Sequence, residues 1–171
     1  MRLFIAVQFS DKILNELSRI QKYWQSLGMK GHYVSSENLH MTIAFIGEYK
    51  DPYYVLETLE TVSFSPFTVE LDGIGNFGDL YWVGTRRNEE IEAAVKRVRR
   101  ILAINNIQYD RKRFSPHITL VRKAIFDGKI EKLTEVLPKG TEEIDSLYLM
   151  SSTRGKNGMI YDVIGNVNAK R

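Results

Sequence analysis

Two of the chain's three histidines open the same tetrapeptide, and this echo constrains the fold more than any other feature. His40-Met41-Thr42-Ile43 and His117-Ile118-Thr119-Leu120 both read His-apolar-Thr-apolar. With nine threonines in 171 residues and 43% hydrophobic residues, composition alone gives such a pair roughly 0.03% of the time. On a strand, residues two apart share a face. His40 and Thr42 therefore face one way while Met41 and Ile43 enter a core, and His117 with Thr119 repeats the arrangement. The echo implies two related lobes facing one another across a cleft.

The surrounding pattern supplies the elements of those lobes. Leu3, Ile5, Val7 and Phe9 alternate along one face of an opening strand, with Arg2, Phe4, Ala6 and Gln8 on the other, a mixed face suited to line a cleft. Ser10 stands at an N-cap position. Ile13, Leu17, Ile20, Trp24 and Leu27 follow at helical spacing, and Gly28 ends the helix. A second strand spans 40–46, and Asp51-Pro52 opens a second helix. Short strands at 67–71 and 80–83 flank a glycine-rich turn. A helix over 88–104, a strand over 117–122 and a shorter helix over 129–137 come next. Strands at 143–151 and 159–163 close the chain around a hairpin loop at 153–158. Strands that often follow strands, with helices inserted, indicate α+β architecture with mainly antiparallel sheet and outer helices. The length fits a single bilobal domain over residues 1–171.

Composition narrows the compartment and the chemistry. The chain has no cysteine, which excludes disulfides, cysteine nucleophiles and thiolate zinc sites, and fits a reducing cytosol. The apolar run after Met1 stops at Gln8, too short for a signal core. No stretch approaches the ~20 apolar residues of a membrane span. The expectation is a cytoplasmic monomer with no membrane partner. A net charge of +3 suits a phosphate-bearing partner without demanding one.

Two imidazoles and two hydroxyls around one point form a recognisable chemical set. An imidazole titrates near neutrality, so one can take a proton from water while the other protonates a leaving oxygen. The hydroxyls can donate to the non-bridging oxygens of a phosphate as charge builds there. Metal binding is the other use of paired imidazoles. Zinc normally wants a third or fourth ligand, however, and neither cysteine nor a close histidine supplies one. Neither a metal nor a cofactor is expected. His32, eight residues before His40, reads as a loop or surface residue.

With these residues in view, the chain resembles the 2H phosphoesterases, named for two His-x-Thr-x motifs, and among them the RNA 2′,3′-cyclic phosphodiesterases, also called 2′-5′ RNA ligases. The resemblance runs through Arg2-Leu3-Phe4-Ile5-Ala6, Glu37-Asn38-Leu39-His40, Phe45-Ile46-Gly47, Phe114-Ser115-Pro116-His117 and the strand from Leu147 to Ser151. One departure is Ser35-Ser36, where the family pattern has proline. The resemblance implies a bilobal α+β fold with a central cleft, no metal, His40 as proton donor and His117 as acceptor, with Thr42 and Thr119 beside them. It implies hydrolysis of cyclic phosphate RNA ends to 2′-phosphates, with reversible 2′-5′ ligation through the same transition state. It also associates Arg122 with phosphate. Arg122 lies five residues beyond His117, so on a regular strand it would face away, and the strand must twist or end to bring it in.

Other features carry weaker readings. Phe4 and Tyr161 are candidates to stack on a base, against the commoner fate of filling a core. Gly73-Ile74-Gly75-Asn76-Phe77-Gly78 matches a dinucleotide fingerprint, but a strand-like run follows instead of a helix, so it reads as a turn. Lys96-Arg97-Val98-Arg99-Arg100 ends a helix that begins with Glu89-Glu90, which reads as dipole complementarity on a solvated helix end. Arg111-Lys112-Arg113 either steers RNA or is ordinary surface charge. Two further functions stay open on sequence: the same site acting on 2′-5′ oligonucleotides or nucleotide-sized cyclic phosphates, and an RNA-end binding module without catalysis.

Overall fold

The computed structural model describes residues 1–170. The opening alternation becomes β1 (Arg2–Val7) and the first amphipathic run becomes α1 (Asp11–Ser26), ending before Gly28 at φ +92°. Ser10 precedes α1, but its side chain does not cap the helix. Its hydroxyl and backbone N–H bond the Glu142 carboxylate instead. β2 (Lys30–Tyr33), which the sequence pattern did not mark, leads through a short 3₁₀ turn into β3 (Met41–Glu48). α2 (Pro52–Glu60) begins as expected, with the Asp51 carboxylate accepting from the Tyr54 N–H at 3.2 Å and Pro52 in its first turn.

β4 (Phe67–Phe77) runs six residues past the expected strand, so most of the glycine-rich segment is strand and the turn to β5 (Leu80–Thr85) is only Gly78-Asp79. α3 (Glu89–Ile104) starts behind Asn88, whose side chain accepts from Ile91 N–H at 2.8 Å. β6 (His117–Ile125) carries the second motif. The helix expected at 129–137 is a single turn, α4 (Ile130–Leu133). The final strand expected from 143 is two strands, β7 (Thr141–Ile144) and β8 (Ser146–Gly155). β8 turns directly into β9 (Gly158–Asn168).

Among the described residues these strands follow one antiparallel path, β7-β4-β5-β6-β3-β1-β8-β9, with β2 on the free edge of β6. The two halves of this path meet at one residue pair, Met41 opposite Ile118. The two expected lobes therefore meet at this pair within one open sheet, and the cleft lies at their junction. Met41 and Ile118 are fully buried, and one continuous core takes in Ile13, Leu17 and Trp24 from α1 with Ile91, Val98 and Leu102 from α3. No helix among the described residues is long and apolar enough to cross a membrane.

Candidate active site

The single β3–β6 contact sets the geometry of the site. β3 and β6 are antiparallel, so stepping out from Met41–Ile118 puts His40 across from Thr119 and His117 across from Thr42. Opposed side chains on such strands have Cβ atoms roughly 4.5–5.5 Å apart and share a face. All four line one cleft of about 460 Å³. The two motifs thus cross at Met41–Ile118, bringing both histidines and both threonines to one cleft.

Both imidazoles are held the same way. His40 Nδ1 lies 2.7 Å from the Asn38 carbonyl and His117 Nδ1 lies 2.6 Å from the Ser115 carbonyl. A carbonyl only accepts, so each Nδ1 carries the proton and each Nε2 is the nitrogen left for chemistry. His40 Nε2 sits 3.1 Å from Thr42 Oγ1. Burial pushes the His40 imidazole below its ordinary value of 6.5; the Asn38 carbonyl opposes this, and the Arg122 and His117 charges add to it. His117 is pushed down by burial and by Arg122, against the Ser115 carbonyl. These surroundings favour two neutral imidazoles, and an anion in the cleft offsets the Arg122 charge that helps keep them so.

Arg122 reaches the same cleft because β6 is not regular. Opposite β5, Tyr81 pairs with Val121 while Trp82 pairs with Thr119, leaving Leu120 as an extra residue. This β-bulge resets the alternation, so Leu120 and Val121 are both buried and Arg122 rejoins His117 and Thr119. The Leu120 carbonyl is satisfied twice, by Gln21 Nε2 at 3.0 Å and by Val34 N–H at 2.9 Å. β3 has the same device at the same offset. Ile5 pairs with Ala44 and Ala6 with Thr42, leaving Ile43 extra and turning Phe45 into the cleft.

Aromatic rings pack each histidine. Phe4 and Tyr161 lie 5.0 and 5.3 Å from the His40 ring; Phe77 and Trp82 lie 5.4 and 5.9 Å from the His117 ring. Phe4 lines the cleft but is only 3% exposed, so its ring supports His40 more than it faces solvent. Gly75 is needed for Trp82, because a Cβ there would fall 2.4 Å from the indole ring. That gives the glycine-rich segment a reason unrelated to nucleotide phosphates. His32 is exposed as expected, although on β2, opposite Arg122. The basic run on α3 is not simply solvated: Arg97 donates to the Ser63 carbonyl at 3.1 Å and Arg99 to the Lys112 carbonyl at 2.8 Å.

Arg2 lines the cleft from the mixed face of β1, as the alternation implied, whereas Phe45, Asp110 and Arg154 on its walls, with Trp82 and Phe77 behind His117, were not singled out in the sequence. Phe45 had a signal, since it stands at the same offset from His40 as Arg122 from His117. Gln21 had one too, a polar residue inside the buried stripe of α1.

Fold and site together define a 2H phosphoesterase: an antiparallel α+β sheet with two His-x-Thr-x motifs crossed at its centre. The chain belongs to the 2′-5′ RNA ligase superfamily, whose family model matches residues 9–156. An RNA 2′,3′-cyclic phosphodiesterase of Methanocaldococcus jannaschii is 32% identical to it, over 96% of this chain and 98% of that protein. Another of that description, from Thermotoga maritima, is 28% identical over 96% and 93%. The fold matches that of E. coli LigT, solved with 3′-AMP, at a TM-score of 0.84 and 22% identity, covering 99% of this chain and 98% of that one.

Proposed function

We propose that this chain hydrolyses RNA 2′,3′-cyclic phosphate ends to 2′-phosphate ends, without a metal, as a single bilobal domain in the cytoplasm. The observation that carries the reading is the crossed quartet: two Nε2 atoms and two hydroxyls on one face, with Arg122 brought alongside by the bulge. The relatives described as RNA 2′,3′-cyclic phosphodiesterases support the substrate class. The continuous core shared by both halves supports the single domain, and the cysteine-free composition fits a reducing compartment.

In the proposed step, Arg122 and the two threonine hydroxyls hold the non-bridging oxygens. His117 Nε2 takes a proton from water as its oxygen bonds to phosphorus. The bond from phosphorus to O3′ breaks in line, and His40 Nε2 donates its proton to O3′. The phosphate stays on O2′, and the two histidines have exchanged proton states until solvent resets them. The assignment of donor and acceptor follows the family resemblance. An RNA 5′-hydroxyl in place of water gives 2′-5′ ligation through the same transition state. Bringing an anion into the cleft raises the histidine pKa values, which supplies the protonated donor when substrate binds.

The test is a cyclic-phosphate-ended RNA incubated with enzyme in EDTA, with the product followed by phosphorus NMR. A 2′-phosphate forming at an undiminished rate is expected. Loss of turnover restored by a divalent metal would overturn the two-histidine mechanism, and a predominant 3′-phosphate would reverse the orientation of the ribose.

A further inference from the structure

The cleft continues past the histidines. Thr42, Phe45, Asp110 and His117 also wall a second depression of about 470 Å³, bounded beyond them by Phe77 and by the loop between α3 and β6. Resting on the phosphodiesterase reading, we propose that this depression holds the nucleotides 5′ to the cyclic phosphate, making a single-stranded RNA end a better substrate than a cyclic mononucleotide.

Its lining has the two components that bind single strands without regard to sequence, aromatic faces and cations. Phe45, from β3, is 37% exposed and Phe77, from the β4–β5 tip, is 50% exposed, and both line the depression. Lys112 and Arg113 are exposed, and neither forms an ion pair among the described residues, whereas Arg86 and Arg87 nearby are tied to Glu70 and Glu92. Arg111 in the same loop is directed elsewhere, with its guanidinium over Tyr109. The one acid at the junction, Asp110, has its carboxylate engaged by the Lys112 N–H at 3.0 Å.

The loop is also built to stay in place. Asp110 N–H donates to the Phe45 carbonyl at 2.8 Å, Arg99 donates to the Lys112 carbonyl, and Arg87 donates to the Phe114 carbonyl at 2.8 Å. A preorganised cationic loop spares the entropy that a mobile one would lose on binding. The depression on the other flank of the cleft, about 580 Å³ beside Tyr161, offers Lys156 against Glu37 and so little net charge. A polyanion is drawn to the first and not to the second.

The experiment compares kcat/KM for 2′,3′-cyclic AMP and for a ten-nucleotide RNA ending in a cyclic phosphate, using wild type, Lys112→Gln/Arg113→Gln and Lys156→Gln. The double variant should lose roughly tenfold on the RNA and leave the mononucleotide unchanged, as expected when cations facing the RNA backbone are removed. The slope of log kcat/KM against log salt for the RNA should flatten by about 1.4, at ~0.7 for each single-strand phosphate no longer neutralised. Equal losses on both substrates, no loss on the RNA, or an RNA-specific loss from Lys156→Gln instead would each overturn the proposal. Fluorescence anisotropy with a labelled single-stranded oligonucleotide reads the groove without turnover. If wild type hydrolyses neither substrate, the function reading fails, while a salt-dependent affinity abolished only in the double variant still upholds the groove.

Discussion

The two halves of the cleft share a backbone plan and differ in what they do with it. Each supplies a histidine pinned through Nδ1 to the carbonyl two residues before it, a threonine two residues after it, and a bulge one residue further on. At the fifth position after the histidine the plan splits, with Phe45 in one half and Arg122 in the other. His40 sits between Phe4 and Tyr161 and touches its own threonine, while His117 leans on Trp82 and the exposed Phe77. A near-symmetric pair of imidazoles has no intrinsic direction. In the proposed mechanism Arg122, with no counterpart at the fifth position after His40, draws the phosphate charge toward one half, and that asymmetry would let one histidine serve water and the other the leaving oxygen.

The strongest test of this shared plan removes the histidines themselves. His40→Ala and His117→Ala should each slow hydrolysis by ~10²–10⁴, the usual range for losing a general acid or base. Circular dichroism should report a retained fold for both. Near-full activity in either variant would break the pairing.

The fifth position should separate the halves. Arg122→Met should reduce kcat/KM by roughly 10²–10³, because it removes a charged donor from the developing phosphate charge. Phe45→Ala should leave hydrolysis of a cyclic mononucleotide within about threefold. Arg122→Met should also move the pH profile. Arg122 depresses both imidazoles, so its loss raises their pKa values and shifts both limbs of the kcat/KM bell toward alkaline pH. A profile that stays put, or moves to acid, would show that the Arg122 charge does not depress these imidazoles.

A smaller contrast concerns the threonines. Thr42→Val and Thr119→Val should each cost up to ~10²-fold, and the serine replacements much less, since serine keeps the donor. Thr42→Val should additionally shift the pH profile, because Thr42 Oγ1 contacts His40 Nε2. Identical pH behaviour in the two valine variants would remove that distinction between the halves.

Much of this was legible in the chain. The period-two alternation around His40 and His117 placed each motif on a strand, and the α1 and α3 stripes marked their buried faces, because these are local patterns with a fixed period. The repeated tetrapeptide singled out the candidate reacting groups unaided. What it left undecided was how the two strands relate. The register of Met41 against Ile118 joins distant segments, set by which edges remain to be paired once β1, β5 and β2 have taken theirs, and no local pattern encodes it. Arg122 shows the same limit within a single strand: regular alternation turns it away from His117, and only the extra residue Leu120, its carbonyl held by Gln21 from α1, turns it back. Sequence determined the chemical groups and the faces of their strands. Tertiary structure decided that those groups cross at one point, because bulges and strand register are settled by packing and hydrogen-bond satisfaction across the whole sheet.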